Sequence, residues 1–502
     1  MYRRSTPGQL SFENFYLPFG GKLSGENRWV KLAALIPWER FEKHYAEQLS
    51  EGMGAPAKSF RMALGALIIK ERLGTSDAET VEQIRANPYL QYFLGLSEYS
   101  DQAPFDASML VHFRKRVTLE LIGQINEAIV KLSGENDPTQ QKESTEPSDP
   151  PDEDNHDDDS PAPANAGQLI VDASCTPCDI RYPTDLSLLN EAREHTERII
   201  DVLYEQLREQ LPHKPRTYRR KARQQYLHIA KRRQVKRKDL RKAIAQQLRY
   251  LRRNLAHIDE LIAAGATLAQ LAHQLYRKLL VISELVRQQQ WMYQHRQRRI
   301  DDRIVSIAQP HVRPIVRGKA GTSVEFGAKI AISCVNGYVF LDHLDWNNFN
   351  ESPDLPEQIE RFKQRMGHYP ASVHADQIYR TRANRKYCQQ RGIRLSGKPL
   401  GRPKQSEQNQ LQKQAQIDAA IRNQVEGKFG VGKRRFSLAR VMAKLAPTAE
   451  TAIAVTFLVM NLEQLLRQLL FVFFAVVFPQ QVFQFNRWHR QWCDPQFALA
   501  AV

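Results

Sequence analysis

Between Glu135 and Ala166 the chain reads ENDPTQQKESTEPSDPPDEDNHDDDSPAPANA, with 11 acidic residues, one Lys and almost no aliphatic side chains. Such a composition cannot bury enough apolar surface to offset the entropy of ordering a backbone, so it reads as a disordered linker. The chain must then organise itself on either side of this break. A length of 502 residues leaves ample material for cores in both parts.

The formal charge of the whole chain is +17, and the acidic stretch makes every other part more basic than that figure suggests. The extreme is Lys214–Arg253, with 17 Lys and Arg against the single acid Asp239 in forty residues. A solvated helix face normally interleaves acids among its bases, and their absence here points to a phosphate backbone as partner. The residues expected to meet it include Arg219, Arg220, Lys221, Arg232 and Arg233.

Residues 26 to 133 read as helices. Ser76-Asp-Ala-Glu79 has the form of a capping box, Asn87-Pro88 stops the helix it opens, and Gly95 ends the aromatic run Tyr89, Tyr92, Phe93. Asp106 is placed to cap a last short helix with Met109, Leu110, Phe113 and Val117 on one face and Arg114, Lys115 and Arg116 facing outward. Short helices with a basic final member have the look of a helix-turn-helix-like DNA-binding module.

Beyond the linker, Gln168-Leu-Ile-Val-Asp172 reads as a buried strand ending in a carboxylate. Thr184-Asp185 opens a helix, and Leu residues at intervals of three and four then run from Leu240 to Ile282 with a break at Gly265, predicting two antiparallel helices. Strands return as a hairpin, Phe326–Ile332 and Tyr338–Leu344, turned at Asn336-Gly337. A helix from Pro356 to Met366, a strand ending at Asp376, a helix from Arg382 to Gln390, a strand Gly392–Leu395 and a helix carrying Ile417, Ile421, Val425 and Glu426 complete the order. The fold class is α+β, a mixed sheet with flanking helices, interrupted by a helical insertion and preceded by an all-α N-terminal part.

Asp172 and Asp376 would both close strands at one carboxyl edge, with Glu426 on the helix that follows the last strand. Three converging carboxylates could hold two divalent ions roughly 4 Å apart, an arrangement suited to phosphoryl transfer, and oxygen ligands suit Mg²⁺ or Mn²⁺. The spacing alone is unspecific, since acids at strand ends are common in chains of this size. Glu351, Glu357 and Glu360 are alternative third carboxylates.

Particular motifs narrow the choice: Asn87-Pro-Tyr-Leu-Gln-Tyr-Phe-Leu-Gly95, Phe105-Asp-Ala-Ser-Met-Leu-Val-His-Phe-Arg-Lys-Arg116, Ile170-Val-Asp172, Tyr182-Pro-Thr-Asp185, Val373-His-Ala-Asp376 with Gly392-Ile393, and Arg422-xxx-Glu426-xxxxxx-Lys433. In these the chain resembles the DDE transposases of bacterial insertion sequences, in insertion-sequence family five, and the similarity covers most of its length. The resemblance implies an RNase H-like catalytic domain with Asp172, Asp376 and Glu426 as catalytic residues and ligands of two Mg²⁺ ions, for which Mn²⁺ can substitute. It also implies Arg422 and Lys433 on DNA phosphates. The pattern expects a Tyr three residues before Arg422, where this chain has Ala419, which puts one DNA contact in doubt.

The expected organisation is an N-terminal helical domain that binds DNA ends (1–134), the acidic linker (135–166), a catalytic domain (167–194 and 301–465), a basic helical insertion (195–300) and a C-terminal helical tail (466–502). The expected activity is binding of the element's terminal inverted repeats, metal-dependent cleavage and strand transfer into target double-stranded DNA, by a homodimer that holds both ends. A repressor derived from a transposase and a nuclease that cuts without joining are the alternatives.

Five scattered Cys, an N-terminus with no signal-peptide core and no apolar run judged long enough to span a bilayer predict a bacterial cytoplasmic, nucleoid-associated protein without a membrane partner. Cys175-xx-Cys178 has no matching second ligand pair for zinc. No HExxH and no GxxxxGK[ST] occurs, so neither a zinc protease nor a nucleotide cofactor is expected.

Overall fold

The computed structural model describes residues 11–47, 49, 56–135, 164–316, 324–399, 401 and 408–477. The acidic stretch from 136 to 163, residues 402–407, and residues 478–502 of the expected tail lie outside the described residues.

Local signals set the N-terminal helices: α1 (Arg28–Leu35), α2 (Trp38–Ala46), α3 (Phe60–Leu73), α4 (Asp77–Ala86), α5 (Pro88–Phe93), α6 (Met109–Arg116) and α7 (Leu119–Glu135). The Ser76 hydroxyl accepts from the Glu79 amide to start α4, and Asn87 accepts from the Tyr89 amide to start α5 with Pro88 in its first turn. Their apolar faces meet around Phe93, whose ring takes T-shaped contacts from Trp29 and Trp38.

The sheet begins with β1 (Gln168–Pro177), twice as long as the apolar run that announces it. Ala173, Ser174 and Thr176 carry no strand pattern of their own, but they pair in antiparallel register with β3 (Val324–Val335). β3 turns into β4 (Tyr338–Asp345) through Asn336 and Gly337, with φ of 51° and 82°. That pair of positive φ values is what the Asn-Gly sequence accommodates. β2 (Arg313–Val316) lies along the same edge of β3 as β4, farther down the strand. On the other side β1 pairs in parallel with β5 (Ser372–His374), and β5 with β6 (Arg394–Leu395). The order is β4-β3-β1-β5-β6, a mixed sheet in an α+β fold.

Helices α12 (Leu355–Met366) and α13 (Arg382–Gln390) connect the later strands, and α14 (Gln408–Arg435) crosses the sheet with Val425 fully buried. The last helix, α15 (Ala446–Val477), joins the halves of the molecule. On one side Thr451 donates to the Arg114 and Val117 carbonyls, and the buried Glu71 of α3 accepts from Thr456 and from Ser437 just upstream of α15. On the other, the fully buried Asn461 accepts from the Val339 amide of β4 at 2.9 Å and donates to Asn126 of α7 at 2.9 Å. These bonds satisfy polar groups that would be costly to bury alone.

The span Ala446–Leu469 is long and apolar enough to cross a membrane, contrary to the expectation that no such run exists, but most of it is buried among α3, α6, α7 and β4. It is the core helix of the described fold.

Between β1 and β2 stand α8 (Asp185–Gln206), α9 (Arg219–Ala230), α10 (Arg237–Ala263) and α11 (His273–His295). Thr184 and Ser187 cap α8 reciprocally. Asp185 is structural: it accepts from Gln289 of α11 at 2.8 Å and from Arg303 at 2.6 Å. These helices have two small cores of their own, one around Leu189, Leu251 and Leu285, the other around Ile200, Leu203 and Leu261.

Candidate active site

Ile170 of β1 is paired with His374 of β5, and two residues beyond each lie Asp172 and Asp376. Both carboxylates therefore leave the parallel pair at the same level and on the same face. Asp172 does not end its strand, as the sequence pattern suggested. β5 stops before it, while β1 runs on against β3. The carboxyl edge is thus an edge of the parallel pair alone. Asp376 opens a short 3₁₀ turn, Gln377–Tyr379, and accepts from the Gln377 amide at 2.7 Å.

α14 brings in the third carboxylate. Its Arg422 donates to Asp376 at 3.1 Å and to Glu426, one turn on, at 3.1 Å. Asp376 and Glu426 keep about half their side-chain surface in solvent, at 56% and 52%. Asp172 lies deeper. Burial pushes its carboxyl up to about 6; the Ala173 amide works against that rise, and the charges on Asp376 and Glu426 add to it while Arg422 opposes it. Asp376, Glu426 and Arg422 thus lie near enough for their charges to act on Asp172.

Among the described residues no three His, Cys, Asp or Glu side chains stand close enough to hold a metal ion. The Arg422 guanidinium lies between Asp376 and Glu426, where it supplies the positive charge these carboxylates attract. The donor chemistry fits a hard divalent cation: carboxylate oxygens alone, two of the three side chains open to solvent, and like-charge repulsion felt at Asp172.

The substitutes are engaged elsewhere. Glu351 pairs with Lys329, Glu357 with Arg361 at 2.6 Å, and Glu360 accepts from Tyr369 and Tyr387. Lys433 is partly buried two turns along α14 from Glu426. Cys175 and Cys178 are buried free thiols.

Several expected DNA contacts are placed otherwise. Arg114 does not face outward; it is buried and paired with Asp77, locking α6 to α4. Lys115 is exposed, whereas Arg116 is partly buried against the Tyr45 hydroxyl. In the insertion, Arg219 makes a two-pronged pair with Asp201, and Arg232 lies 3.9 Å from Asp239 and against His228. Arg220, Lys221 and Arg233 are exposed and make no ion pair among the described residues.

The sequence reading missed two buried residues near the candidate site, Asp418 and Tyr379. Asp418 of α14 is buried and accepts from Arg394 of β6 at 2.9 and 3.1 Å, and it lies 3.5 Å from the fully buried His374. The spacing of Asp418, Arg422 and Glu426, i, i+4 and i+8, was the available signal. Tyr379 is fully buried; burial, together with the charges of Glu351 and Asp172 among others, pushes its hydroxyl pKa up.

With this geometry in view, the comparisons fall on both halves of the molecule. Residues 373–463, which carry Asp376, Arg422, Glu426 and most of the buried part of α15, match the family model described as Transposase DDE domain. Residues 18–116, covering α1 to α6, match the model described as Transposase domain (DUF772). A curated relative, the "Uncharacterized protein ORF8 in nfe locus" of Rhizobium meliloti, is 34% identical over 104 residues, 21% of this chain and 50% of that protein. The chain thus spans about half the length of the curated relative it matches. No solved structure matches. The two matches liken each half of the molecule to a transposase domain.

Proposed function

We propose that the chain is the transposase of an insertion sequence of family five: it binds the element's terminal inverted repeats, cleaves the phosphodiester at each end and joins the exposed 3′-hydroxyl to target DNA. What supports this is Arg422 bridging Asp376 and Glu426 at the carboxyl edge of the parallel strand pair, with the charges of both acids felt at the more deeply placed Asp172. The strand order β4-β3-β1-β5-β6, antiparallel on one side of β1 and parallel on the other, supports an RNase H-like reading of the sheet.

In this reading Asp172, Asp376 and Glu426 would hold two Mg²⁺, or Mn²⁺ in their place. The ions would supply an activated oxygen nucleophile and stabilisation of the departing oxygen during in-line displacement at phosphorus. The protein's own groups do the positioning. Arg422 and Lys433 lie along α14 where charge-assisted bonds to DNA phosphates fix the scissile strand. The exposed bases of the insertion and Lys115 of α6 extend the contact along the duplex. A homodimer would keep both ends together.

The test is end cleavage and strand transfer by Asp172→Ala, Asp376→Ala and Glu426→Ala in Mg²⁺ and Mn²⁺, beside gel shifts on end DNA. Each variant is expected to lose both reactions and keep binding. Substantial cutting by any of them removes that residue from the site. Cleavage without joining by the wild type would make the protein a nuclease, and binding with no metal-dependent cutting would make it a repressor.

A further inference from the structure

We infer that Asp418 is a positioning residue: it keys α14 to the β5–β6 edge and so sets Glu426 and Arg422 against Asp376. The inference rests on the catalytic reading of that carboxylate trio.

Asp418, Arg422 and Glu426 follow one another at four-residue intervals and share one face of α14. The first is buried and the last open, so the stripe runs from inside the fold to the candidate site. The partners of Asp418 on the sheet are His374 of β5, the strand that leads to Asp376, and Arg394 of the neighbouring β6. Arg394 is in register with Ser372 at the start of β5 and grips both carboxylate oxygens, at 2.9 and 3.1 Å. The His374 ring, two residues before Asp376, lies with Nδ1 3.5 Å from Asp418 and Nε2 3.0 Å from the Ser372 hydroxyl. Gln414, one turn earlier on α14, donates to the same carboxylate at 3.1 Å.

Ser372, His374 and Asp418 share the residue types of a hydrolytic triad, but the three are buried within the ladder and helix packing, where no substrate reaches them. Their effect is mechanical. The apolar contacts of Val425 and Phe429 hold α14 onto the sheet, yet such contacts are non-directional and tolerate sliding. A two-pronged Arg–carboxylate contact does not tolerate it. Displacements of about 1 Å at a reacting centre can cost on the order of a hundredfold in rate.

The experiment uses the full chain as wild type, Asp418→Asn and Arg394→Gln. It measures Mn²⁺ binding by calorimetry without DNA, the Mg²⁺ needed for half-maximal end cleavage, affinity for end DNA, and melting temperature. Both variants are expected to hold DNA within about twofold of wild type. They should bind Mn²⁺ roughly tenfold more weakly and need correspondingly more Mg²⁺, in line with the effect of outer groups on metal ligands. Cleavage should recover in part at saturating metal.

A purely structural role predicts lower melting temperatures with an unchanged metal requirement, and that result overturns the inference. Should Asp418→Asn fail to fold, Arg394→Gln decides, because the Arg394 side chain is 44% exposed and its loss leaves the helix packing in place. If the wild type itself neither binds Mn²⁺ nor cleaves, the catalytic reading falls and this inference with it. An active wild type with unaltered variants overturns the inference alone.

Discussion

The N-terminal helices and the sheet are separated in the chain by the acidic stretch, yet they share one hydrophobic core that runs from Trp29 and Phe93 through Leu458 to Val171 and Ile332. The helices α8–α11, which take residues 185–194 of the expected catalytic domain together with the expected insertion, follow directly on β1 with no such stretch between them and build two cores of their own. Chain continuity and packing continuity are therefore opposed in this molecule. α15 accounts for the first case, because its buried side chains face α3, α6 and α7 on one flank and β4 on another. The second follows from helix geometry: α8, α10 and α11 are long enough to bury their apolar faces against one another.

The largest effect expected from this contrast comes from cutting into each core. Leu458→Ala, at a fully buried position of α15, should cost about 2–5 kcal/mol. Hydrogen exchange should then accelerate together in α3, α7 and β4. Leu251→Ala, equally buried in α10, should cost a similar amount locally and speed exchange in α8, α10 and α11 alone. Acceleration confined to one flank of α15, or spread from Leu251 into the sheet, would break the comparison. For the same reason, residues 1–135 and 164–502 expressed as separate chains should purify as one complex, whereas an independently folding N-terminal half would elute alone.

The elements legible in the sequence were those decided locally. Ser76 and Thr184 cap the helices expected of them, Asn87 ends α4 as expected, Asn336-Gly337 turns the hairpin, and α13 has the predicted bounds. What depended on a partner far along the chain was illegible. Arg114 looked like a surface base because nothing near it in sequence announces Asp77. The second half of β1 has no apolar pattern and is a strand only because β3 lies beside it. In the candidate site the motifs pointed to the three carboxylates, while Asp418 showed only as a four-residue spacing with Arg422 and Glu426, because its contacts to His374 and Arg394 lie on other elements.

A smaller effect separates the two regions by charge. Converting Arg220, Lys221, Arg223, Lys231 and Arg233, all exposed on the insertion, to Gln should weaken binding to every duplex sequence. The dependence of log affinity on log salt should flatten by up to about 4.5 units, at roughly 0.9 per phosphate contact. Arg219 and Arg232 are left in place because they already serve Asp201 and Asp239. Gln preserves helix propensity, so exchange in α9 should not change. Anisotropy titrations at several salt concentrations measure the slope, and equal slopes would remove the insertion from the DNA path.

The smallest expected effect belongs to Asp172 and tests whether the sheet holds a charge at odds with its own stability. The carboxyl has a folded pKa of about 6 against an ordinary value of 3.8, so between these values the folded protein binds the proton that the unfolded chain has lost. The favourable contribution is whole below about pH 4 and gone once the pH has risen through 6, where folding must carry a partly buried anion beside Asp376 and Glu426. Asp172→Asn removes that anion. In metal-free buffer at pH 8 the variant should be more stable than wild type by about 1–2 kcal/mol, at roughly 1.4 kcal/mol per pKa unit less the cost of desolvating the amide. The gain should vanish by pH 4. Slower exchange should appear in β1 and β5 and not in α8–α11, because the insertion does not share this core. Adding Mn²⁺ at pH 8 should stabilise the wild type more than Asp172→Asn, since a bound cation offsets the repulsion that the substitution removes. Melting curves at pH 4 and pH 8, with and without Mn²⁺, measure both differences. A variant no more stable than wild type at pH 8 would mean that Asp172 is ionised there without strain.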